Sequence, residues 1–570
     1  MCQFYDFPWK SPPRTRFHQV TLLHEEIHYE WGTINTKVSP PLHREQLKLT
    51  HHSALETLPQ DCWVQILDEI SPSDAASVVA TSRGLQVSSE SSLYHRVDID
   101  WTRPPLKRVL ILFRVIHKRP DLAEQIHHVS MVTSKLVYPA AEPEDEWELP
   151  QIDGDWGQLS SLFQDEVNAA KDIIIKAQFP SSEMWIRALE HGDPYAFVAV
   201  LLSQLHNIRS LQLDHTFVWQ AGLPGLMMKH ALLSAPENTL SRFSQLSVVE
   251  YGLNVPGPRK YLDTRWDFID AFPVCDPDQF AGWFYLPSLK SLEIWTQNLE
   301  DISNELSKPA ESSKLAHLAQ LERLALTESS VDEDDVRKLL SHLSSLKSLH
   351  LGLVYPSQDK ELYYNCCSPQ PPLKKKGVLL EGLMSVKDTV EHLSISVELC
   401  PVWWPAVWGA IERDNGTPQE SFKPFKGVLM QFPLLQTAEL PAVMLFGWTH
   451  ADAPALSELL PPTLRKLAIR ENLQQTEDYE WETDQVGEAI QKFLPFAPSV
   501  TPMLNTITMR SFGIGEEGDL DPDHSIGARS TCEKLGLDID ISMIQYNLSP
   551  GLWTTHRELQ EGSLRDLTKL

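Results

Sequence analysis

Residues 318–351 read LAQLERLALTESSVDEDDVRKLLSHLSSLKSLHL and contain two copies of one pattern, LAQLERLAL and LSSLKSLHL. In each copy, apolar residues occupy the first, fourth, seventh and ninth positions, so that the last two form a Leu-x-Leu segment. Alternation over so few residues predicts a short strand. The residues between the copies begin with acidic side chains and place Val336, Leu339, Leu340 and Leu343 at helical spacing, which predicts a helix.

The same pattern recurs along most of the chain. Besides the two copies quoted above, it begins at Leu205, Leu240, Leu286, Lys387, Phe432, Pro461 and Thr501, with a weaker copy at Ala123. A single strand–helix unit cannot bury its own apolar face and has to stack on the next unit. The copies therefore predict a repeat array over about residues 120–510.

The copies resemble divergent leucine-rich repeats. Equivalent residues are separated by 25 positions (Leu321 to Leu346) up to 82 positions (Ile126 to Ile208), whereas units of that family span about 20–29 residues. The Asn that the family carries after its Leu-x-Leu is recognisable only at Asn472. The expected fold is α/β, with an irregular leucine-rich-repeat solenoid in which a curved parallel sheet is flanked by helices. Long insertions, forming loops or extra helices, are expected in the gaps 133–200, 250–285, 352–385 and 396–430.

Residues 58–94, LPQDCWVQILDEISPSDAASVVATSRGLQVSSESSLY, differ from the repeats. Pro59 suits a first helical turn, because its missing N–H would be unpaired there. Trp63, Ile66, Leu67 and Ile70 then recur at helical spacing, and two further short helices are predicted after them. A segment of this size cannot bury enough apolar surface to be stable alone. It is therefore expected to be a docking module or, alternatively, a generic helical cap.

This segment resembles an F-box. The matching positions are Leu58, Pro59, Asp61, Ile66, Leu67, Ile70, Asp74, Val78, Ser82 and Arg83. The departures are Asp61 for Glu, Cys62 and Trp63 for an apolar pair, Ala75 for Leu and Thr81 for Val. The resemblance implies a surface that binds the Skp-type adaptor of a cullin-RING ubiquitin ligase, formed by Leu58, Pro59, Ile66, Leu67, Ile70, Val78, Ser82 and Leu85.

An F-box followed by divergent leucine-rich repeats is similar to many fungal F-box proteins. That resemblance implies a substrate-recognition subunit, in which the repeats bind a protein target of unknown identity and other subunits carry out catalysis. Two alternatives stay open. One is an F-box scaffold without a role in ubiquitin transfer, and the other is an enzyme whose site lies in the long insertions.

Composition limits the partners. The chain has 49 basic and 77 acidic residues, for a formal charge of −28, which argues against nucleic acid and anionic membranes because both require a cationic surface. The longest apolar run, residues 196–202, is too short to span a bilayer. Seven scattered cysteines do not suggest a disulfide framework. The expected location is therefore the cytoplasm, the nucleus or both.

Motifs for catalysis are not apparent. The sequence has no Gly-x-Ser-x-Gly elbow, no phosphate-binding glycine loop and no His-Glu-x-x-His zinc helix. Adjacent Cys366 and Cys367 lack the gap of a metal-binding or redox pair. We therefore expect no catalytic residue, metal ligand or cofactor, and we do not expect an enzyme.

A target site is predicted on the strands. Residues that flank the leucines of a strand point away from the core, and Lys466, Arg470 and Arg510 occupy such positions on two neighbouring predicted strands. Because arginine binds carboxylate and phosphate in a bidentate manner, these three residues are the candidate site for an acidic or phosphorylated target segment. The alternative is ordinary surface charge offset by Glu471 and Glu477.

The predicted domain order follows from these observations. Residues 1–50 form a disordered or loosely attached segment, 51–98 the F-box, 99–515 the solenoid with its insertions, and 516–570 an acidic insertion and a C-terminal cap.

Overall fold

The computed structural model describes residues 93–133, 152–153, 155–254, 276–309, 313–356, 377–400, 424–451, 453–471, 473, 479–512 and 523–546, together with nine single positions between Leu58 and Val78. The predicted segment 1–50 lies outside the described residues, as do Leu67, Ser82 and Leu85 of the predicted adaptor surface.

Twelve parallel strands form one open sheet whose spatial order is the order of the chain, from β1 to β12. The strands are β1 Arg96–Asp100, β2 His128–Val132, β3 Ser210–Asp214, β4 Val248–Leu253, β5 Ser291–Ile294, β6 Arg323–Ser329, β7 Ser348–Pro356, β8 His392–Cys400, β9 Thr437–Pro441, β10 Lys466–Arg470, β11 Thr506–Phe512 and β12 Asp540–Tyr546. Each inner strand pairs with the strand before it and the strand after it. The architecture is therefore mixed α/β, and the sheet is not closed into a barrel.

Sixteen helices in the described residues connect these strands. They are α1 Leu106–Lys118, α2 Pro120–Ala123, α3 Trp156–Leu162, α4 Gln164–Lys176, α5 Ser182–Glu190, α6 Pro194–Leu202, α7 Thr216–Trp219, α8 Leu223–Leu233, α9 Asp278–Phe284, α10 Glu300–Leu306, α11 Glu333–Leu340, α12 Val378–Ser385, α13 Ala442–Phe446, α14 Thr483–Phe493, α15 Ala497–Val500 and α16 Ile526–Leu535. Short 3-10 turns cover Ala316–Gln320, Leu429–Gln431, Leu456–Glu458 and Leu494–Phe496. None of the helices in the described part of the chain is both long and apolar enough to cross a bilayer.

The repeat pattern predicts the strands because its two alternating apolar residues face the core. Leu324 and Leu326 of β6 are buried against the helices, and so are the equivalent Leu349 and Leu351 of β7, which are paired with them. Between these strands, the Asp332 side chain accepts a hydrogen bond from the backbone N–H of Asp334 and starts α11. The predicted helix is therefore confirmed, and the structure shows Asp332 as its N-cap.

One copy of the pattern predicts its strand at the wrong position. The copy at Leu240 predicts a strand at Leu246 to Val248, yet the residues that pair with Leu211 and Leu213 of β3 are Val249 and Tyr251 of β4. The strand lies three residues later because Leu246 belongs to the turn before it. Consequently the outward-facing residues of this unit are Val248 and Glu250 rather than Gln245 and Ser247.

The described part of the insertion predicted for residues 133–200 contains four helices, α3 to α6. Helix α6 is buried all round, which accounts for the apolar run 196–202. Its first turn is capped by Asp193, whose carboxylate accepts hydrogen bonds from the backbone N–H groups of Tyr195 and Ala196. An apolar helix therefore lies inside the protein, where it packs against α1, α4, α5 and α8.

Helices α8 and α9 approach each other so closely that two glycines are required. A Cβ atom at Gly225 would lie 2.1 Å from the carbonyl oxygen of Gln279, and one at Gly282 would lie 2.6 Å from the backbone nitrogen of Lys229. Both obstacles are backbone atoms, so a larger residue would force the helices apart.

We predict that Gly282→Ala lowers the free energy of unfolding by about 1–3 kcal/mol through overpacking, measured by chemical denaturation. The matched control is Gly527→Ala in α16, where the nearest atom to an added Cβ is the Oε1 of Gln491 at 3.4 Å. There the better helix propensity of alanine should leave stability unchanged or raise it by up to about 1 kcal/mol. Equal effects at the two sites would contradict the close approach.

Candidate functional site

The N-terminal segment is joined to the sheet through one tryptophan. Trp63 is 1% exposed, and Leu58, Ile70, Val78 and Leu93 pack against it. Leu93 also packs against the main core beneath the sheet. Trp63, which departs from the F-box pattern, is therefore an interior residue that links the segment to the first strand.

The beginning of this segment is a helical turn. The carbonyl oxygen of Pro59 accepts hydrogen bonds from the backbone N–H groups of Cys62 and Trp63, with N–O distances of 3.0 and 3.2 Å. Proline opens the turn without losing a hydrogen bond, as the sequence predicts.

Five of the eight residues predicted to bind an adaptor lie among the described positions. Pro59 and Ile66 are exposed, and the Ile66 side chain is 37% accessible. Leu58, Ile70 and Val78 are half-buried, because part of each side chain packs on Trp63. Contact with an adaptor remains a prediction for all five.

Strand register brings the outward residues of the sheet into rows. The third-position row consists of Asp98, Ser130, Gln212, Glu250, Glu293, Ala325, His350, Ser394, Glu439, Ala468, Thr508 and Ser542. Its central members, from Glu250 to Ala468, are buried. Neighbours within the row are hydrogen-bonded: the Gln212 amide donates to Glu250 at 2.8 Å, and His350 Nδ1 lies 2.9 Å from the Ser394 hydroxyl.

The three residues predicted to bind a target have the expected strand positions, but not all of them are exposed. Arg470 and Arg510 are register partners on β10 and β11, and Lys466 is exposed at the start of β10. However, Arg470 and Arg510 are 1% and 2% exposed. Two of the three side chains therefore have almost no accessible surface, and target binding by Lys466, Arg470 and Arg510 stays a prediction.

Buried carboxylates explain this difference. The Oε1 atom of Glu439, a residue with no exposed surface, lies 2.6 Å from Arg470 Nη1 and 3.4 Å from Arg510 Nε. Glu471 is also buried and accepts a hydrogen bond from the Thr483 hydroxyl at 2.7 Å. Because charges in a low-dielectric interior must be paired, these residues form a buried ion-pair network across the ends of β9 to β11.

A histidine cluster lies where β1 to β3 begin. His95 Nδ1 and His127 Nδ1 are 2.8 Å apart, and His128 Nδ1 is 2.7 Å from the Ser210 hydroxyl. Burial lowers the pKa of His127 to about 4, with further lowering by the nearby charges of His95 and Arg209. Burial and the surrounding histidines and arginines also lower the pKa of His128 to about 4. Both imidazoles are therefore neutral at pH 7.

The Asp214–His215 pair is the arrangement most similar to a catalytic dyad, but its contacts are structural. Asp214 Oδ1 lies 2.8 Å from His215 Nδ1, and the carboxylate accepts hydrogen bonds from the backbone N–H groups of Thr133 and Thr216. Burial alone would raise the pKa of Asp214, but His215 and the bonds from Thr133 hold it below its ordinary value. The carboxylate thereby ties the end of β2 to the start of α7.

No group of three or more His, Cys, Asp or Glu residues within the described ranges is arranged to hold a metal ion. A pocket of about 250 Å³ lies on the helical side, among α8, α9 and α10, where Lys229, Tyr285, Asp301 and Glu305 line it. It does not adjoin the histidine cluster or the Glu439 network.

No family model matches the chain, and no curated protein matches its sequence.

We predict that Glu439→Gln lowers the free energy of unfolding by about 3–5 kcal/mol, because it leaves Arg470 and Arg510 buried without their shared carboxylate. Urea denaturation measures the change. The control is Glu488→Gln, which removes an exposed ion pair with Lys492 on α14 and should change stability by less than about 1 kcal/mol. A loss below 1 kcal/mol at both positions would rule out a structural role for the network.

We also predict that stability falls as the pH is lowered from 7 towards 4. In this range the unfolded chain, with histidine pKa values of about 6.5, binds protons that the folded chain excludes at His127 and His128. The melting temperature should therefore drop on acidification, and the drop should be smaller in the double variant His127→Asn, His128→Asn. An identical pH profile for both proteins would show that these imidazoles do not contribute.

Proposed function

We propose that this chain is the substrate-recognition subunit of a Skp–cullin–F-box ubiquitin ligase, in which residues 58–94 bind the Skp-type adaptor and the sheet side binds a protein target. The observation that supports it most directly is the Trp63 cluster. Among the described residues of the F-box-like sequence, Leu58, Ile70 and Val78 pack around the buried Trp63, and Leu93 joins this cluster to the main core. This arrangement suits a rigid handle on a binding scaffold.

The order of the strands supports the finer description of the scaffold as a leucine-rich-repeat solenoid. One strand per unit, parallel pairing and spatial order equal to chain order are what stacked repeats require. Nine of the ten sequence copies have the strand register that the pattern predicts, and the tenth is displaced by three residues. The unequal unit lengths arise from inserted helices such as α3 to α6.

In this role the chain acts by proximity. The adaptor would connect residues 58–94 to a cullin-RING ligase, and the bound target would gain a high effective concentration near the ubiquitin-loaded enzyme. The chain itself would need no cofactor or catalytic residue. Such a function would place it in the cytoplasm, the nucleus or both.

Ile66 offers the sharpest test because it is a large apolar residue that is exposed. We predict that Ile66→Asp reduces co-purification with the Skp-type adaptor at least about tenfold, since a charge would be buried in the apolar contact. The double variant Leu58→Ala, Pro59→Ala should show a similar loss. Both are measured by affinity capture followed by quantification of the adaptor.

The control is Leu162→Asp on α3, which places the same charge on another exposed apolar residue outside the 58–94 segment. It should retain the adaptor at the level of the unmodified chain. Failure of the unmodified chain to capture the adaptor, or equal capture by Ile66→Asp, would overturn the proposed function.

A further inference from the structure

The pocket on the helical side of the sheet is open to solvent. It lies among α8, α9 and α10 and has a volume of about 250 Å³. Ala281 of α9 is a buried part of its wall, whereas Asp301, Asn304 and Lys308 are exposed at its mouth. Drug-sized ligands occupy pockets of about 300–1,000 Å³, so a molecule that fits this pocket is smaller.

Helix α10 supplies most of the polar lining. Its lining residues, together with one in the turn that follows the helix, are spaced at i, i+3, i+4 and i+7 and are Asp301, Asn304, Glu305 and Lys308. Residues with this spacing share one face of a helix. Ile302 and Leu306 of the same helix are buried in the core. The sequence of α10 therefore presents one continuous polar face to the pocket.

The charged groups of the lining are already paired. Lys229 Nζ lies 2.7 Å from Asp278 Oδ1 and 3.6 Å from Asp301 Oδ2, and Glu305 forms an ion pair with Lys308. The lining contains two lysines and two carboxylates, so neither sign is in excess. A charged ligand would have to compete with one of these pairs, whereas a neutral ligand would not.

Two uncharged polar side chains complete the lining. Within the described residues, neither the Tyr285 hydroxyl nor the Asn304 amide has a hydrogen-bond partner. Burial raises the pKa of Tyr285 to about 12, and the negative charges of Glu305 and Asp301 add to this rise. The hydroxyl is therefore protonated at pH 7 and lies close enough to both carboxylates to sense them. Hydroxyl and amide groups can each donate and accept a hydrogen bond.

A sugar matches this combination of groups. An ionised carboxylate has about four lone-pair sites and an ammonium group has three donors, so Asp301 and Lys229 can bind hydroxyl groups without losing their ion pair. Each sugar hydroxyl also donates and accepts, as the free groups of Tyr285 and Asn304 do. Ala281 and the Tyr285 ring add apolar surface, and small-molecule sites combine such surface with a few convergent polar groups.

We propose that this pocket binds one neutral hexose unit, with Asp301 and Asn304 of α10 on one side of the sugar and Tyr285, which follows α9, on another. The site is separate from the adaptor contact and from target binding on the sheet, and it does not depend on the proposed function. The hexose can be a free monosaccharide or the end of a glycan on another molecule, because both present the same hydroxyl groups.

The test measures binding of the methyl glycosides of glucose, galactose and mannose to the full chain by saturation-transfer difference NMR. We expect at least one of them to bind with a dissociation constant of about 1 mM, as the ligand efficiency of small molecules implies for a ligand of about 13 non-hydrogen atoms. A glycan array that ends in the same hexoses distinguishes the sources. Tighter retention on the array identifies a glycan, and equal affinity identifies the free monosaccharide.

Two variants remove the groups without disturbing an ion pair. Tyr285→Phe and Asn304→Leu should each weaken binding at least about threefold, and the double variant about tenfold or more, since each change removes hydrogen bonds to the sugar. The matched control is Asn168→Leu on α4, another exposed asparagine on a helix and outside the pocket. It should bind the glycoside as the unmodified chain does.

Thermal melting establishes that each variant is folded. If the double variant is not, Tyr285→Phe carries the test, because it keeps the aromatic ring and loses only the hydroxyl. Undiminished binding in a folded pocket variant would overturn the inference, and so would the absence of binding by all three glycosides and by the array.

Charged probes test the neutral character of the ligand. Hexose binding should not change when the salt concentration is raised from about 50 to about 500 mM, since no charge on the ligand is screened. Glycine, spermidine and inorganic phosphate should bind the pocket more weakly than the best glycoside. Tighter binding by any of the three that is lost in Tyr285→Phe and Asn304→Leu would contradict the assignment of a neutral sugar.

Discussion

Burial of two alternating apolar residues per unit is the constraint on which this structure depends. Leu324 and Leu326 can leave water only if the strands on both sides continue the sheet and the helices cover it. Each unit is stabilised by its neighbours rather than by its own contacts, so the strands have to follow one another in chain order. The insertions are tolerated because they lengthen the connections without changing the spacing between strands.

The fold was largely predictable from the sequence because the signal is local. Leu-x-Leu alternation is recognised from a few consecutive residues. The start of a helix, such as the one at Asp332, is also marked by a few consecutive residues. The copy at Leu240 failed because Leu246, Val248, Val249 and Tyr251 offer two overlapping alternations, and only pairing with β3 decides between them. Strands β1 and β12 were not predicted, since neither follows a complete copy of the pattern.

The candidate site was less predictable because exposure depends on residues distant in the sequence. Arg470 follows the outward alternation of its strand, yet its state is decided by Glu439, which lies one strand away in space and 31 residues away in the chain. Arg323 follows the same alternation, yet it is half-buried and makes no ion pair within the described residues. Residue type and spacing are similar at the two positions, so the sequence cannot separate a buried, ion-paired arginine from a half-buried one. Trp63 shows the same limit, since its burial depends on Leu93.

The Glu439 network also bears on how the protein unfolds. Stacked repeats ordinarily couple only to their nearest neighbours, so that unfolding can begin at an end and proceed unit by unit. Glu439 on β9 contacts Arg510 on β11 as well as Arg470 on β10, and this adds a coupling between units that are not adjacent. Loss of β11 would leave the buried carboxylate of Glu439, two strands away, without Arg510. Strands β9 to β11 should therefore behave as one cooperative block that resists fraying.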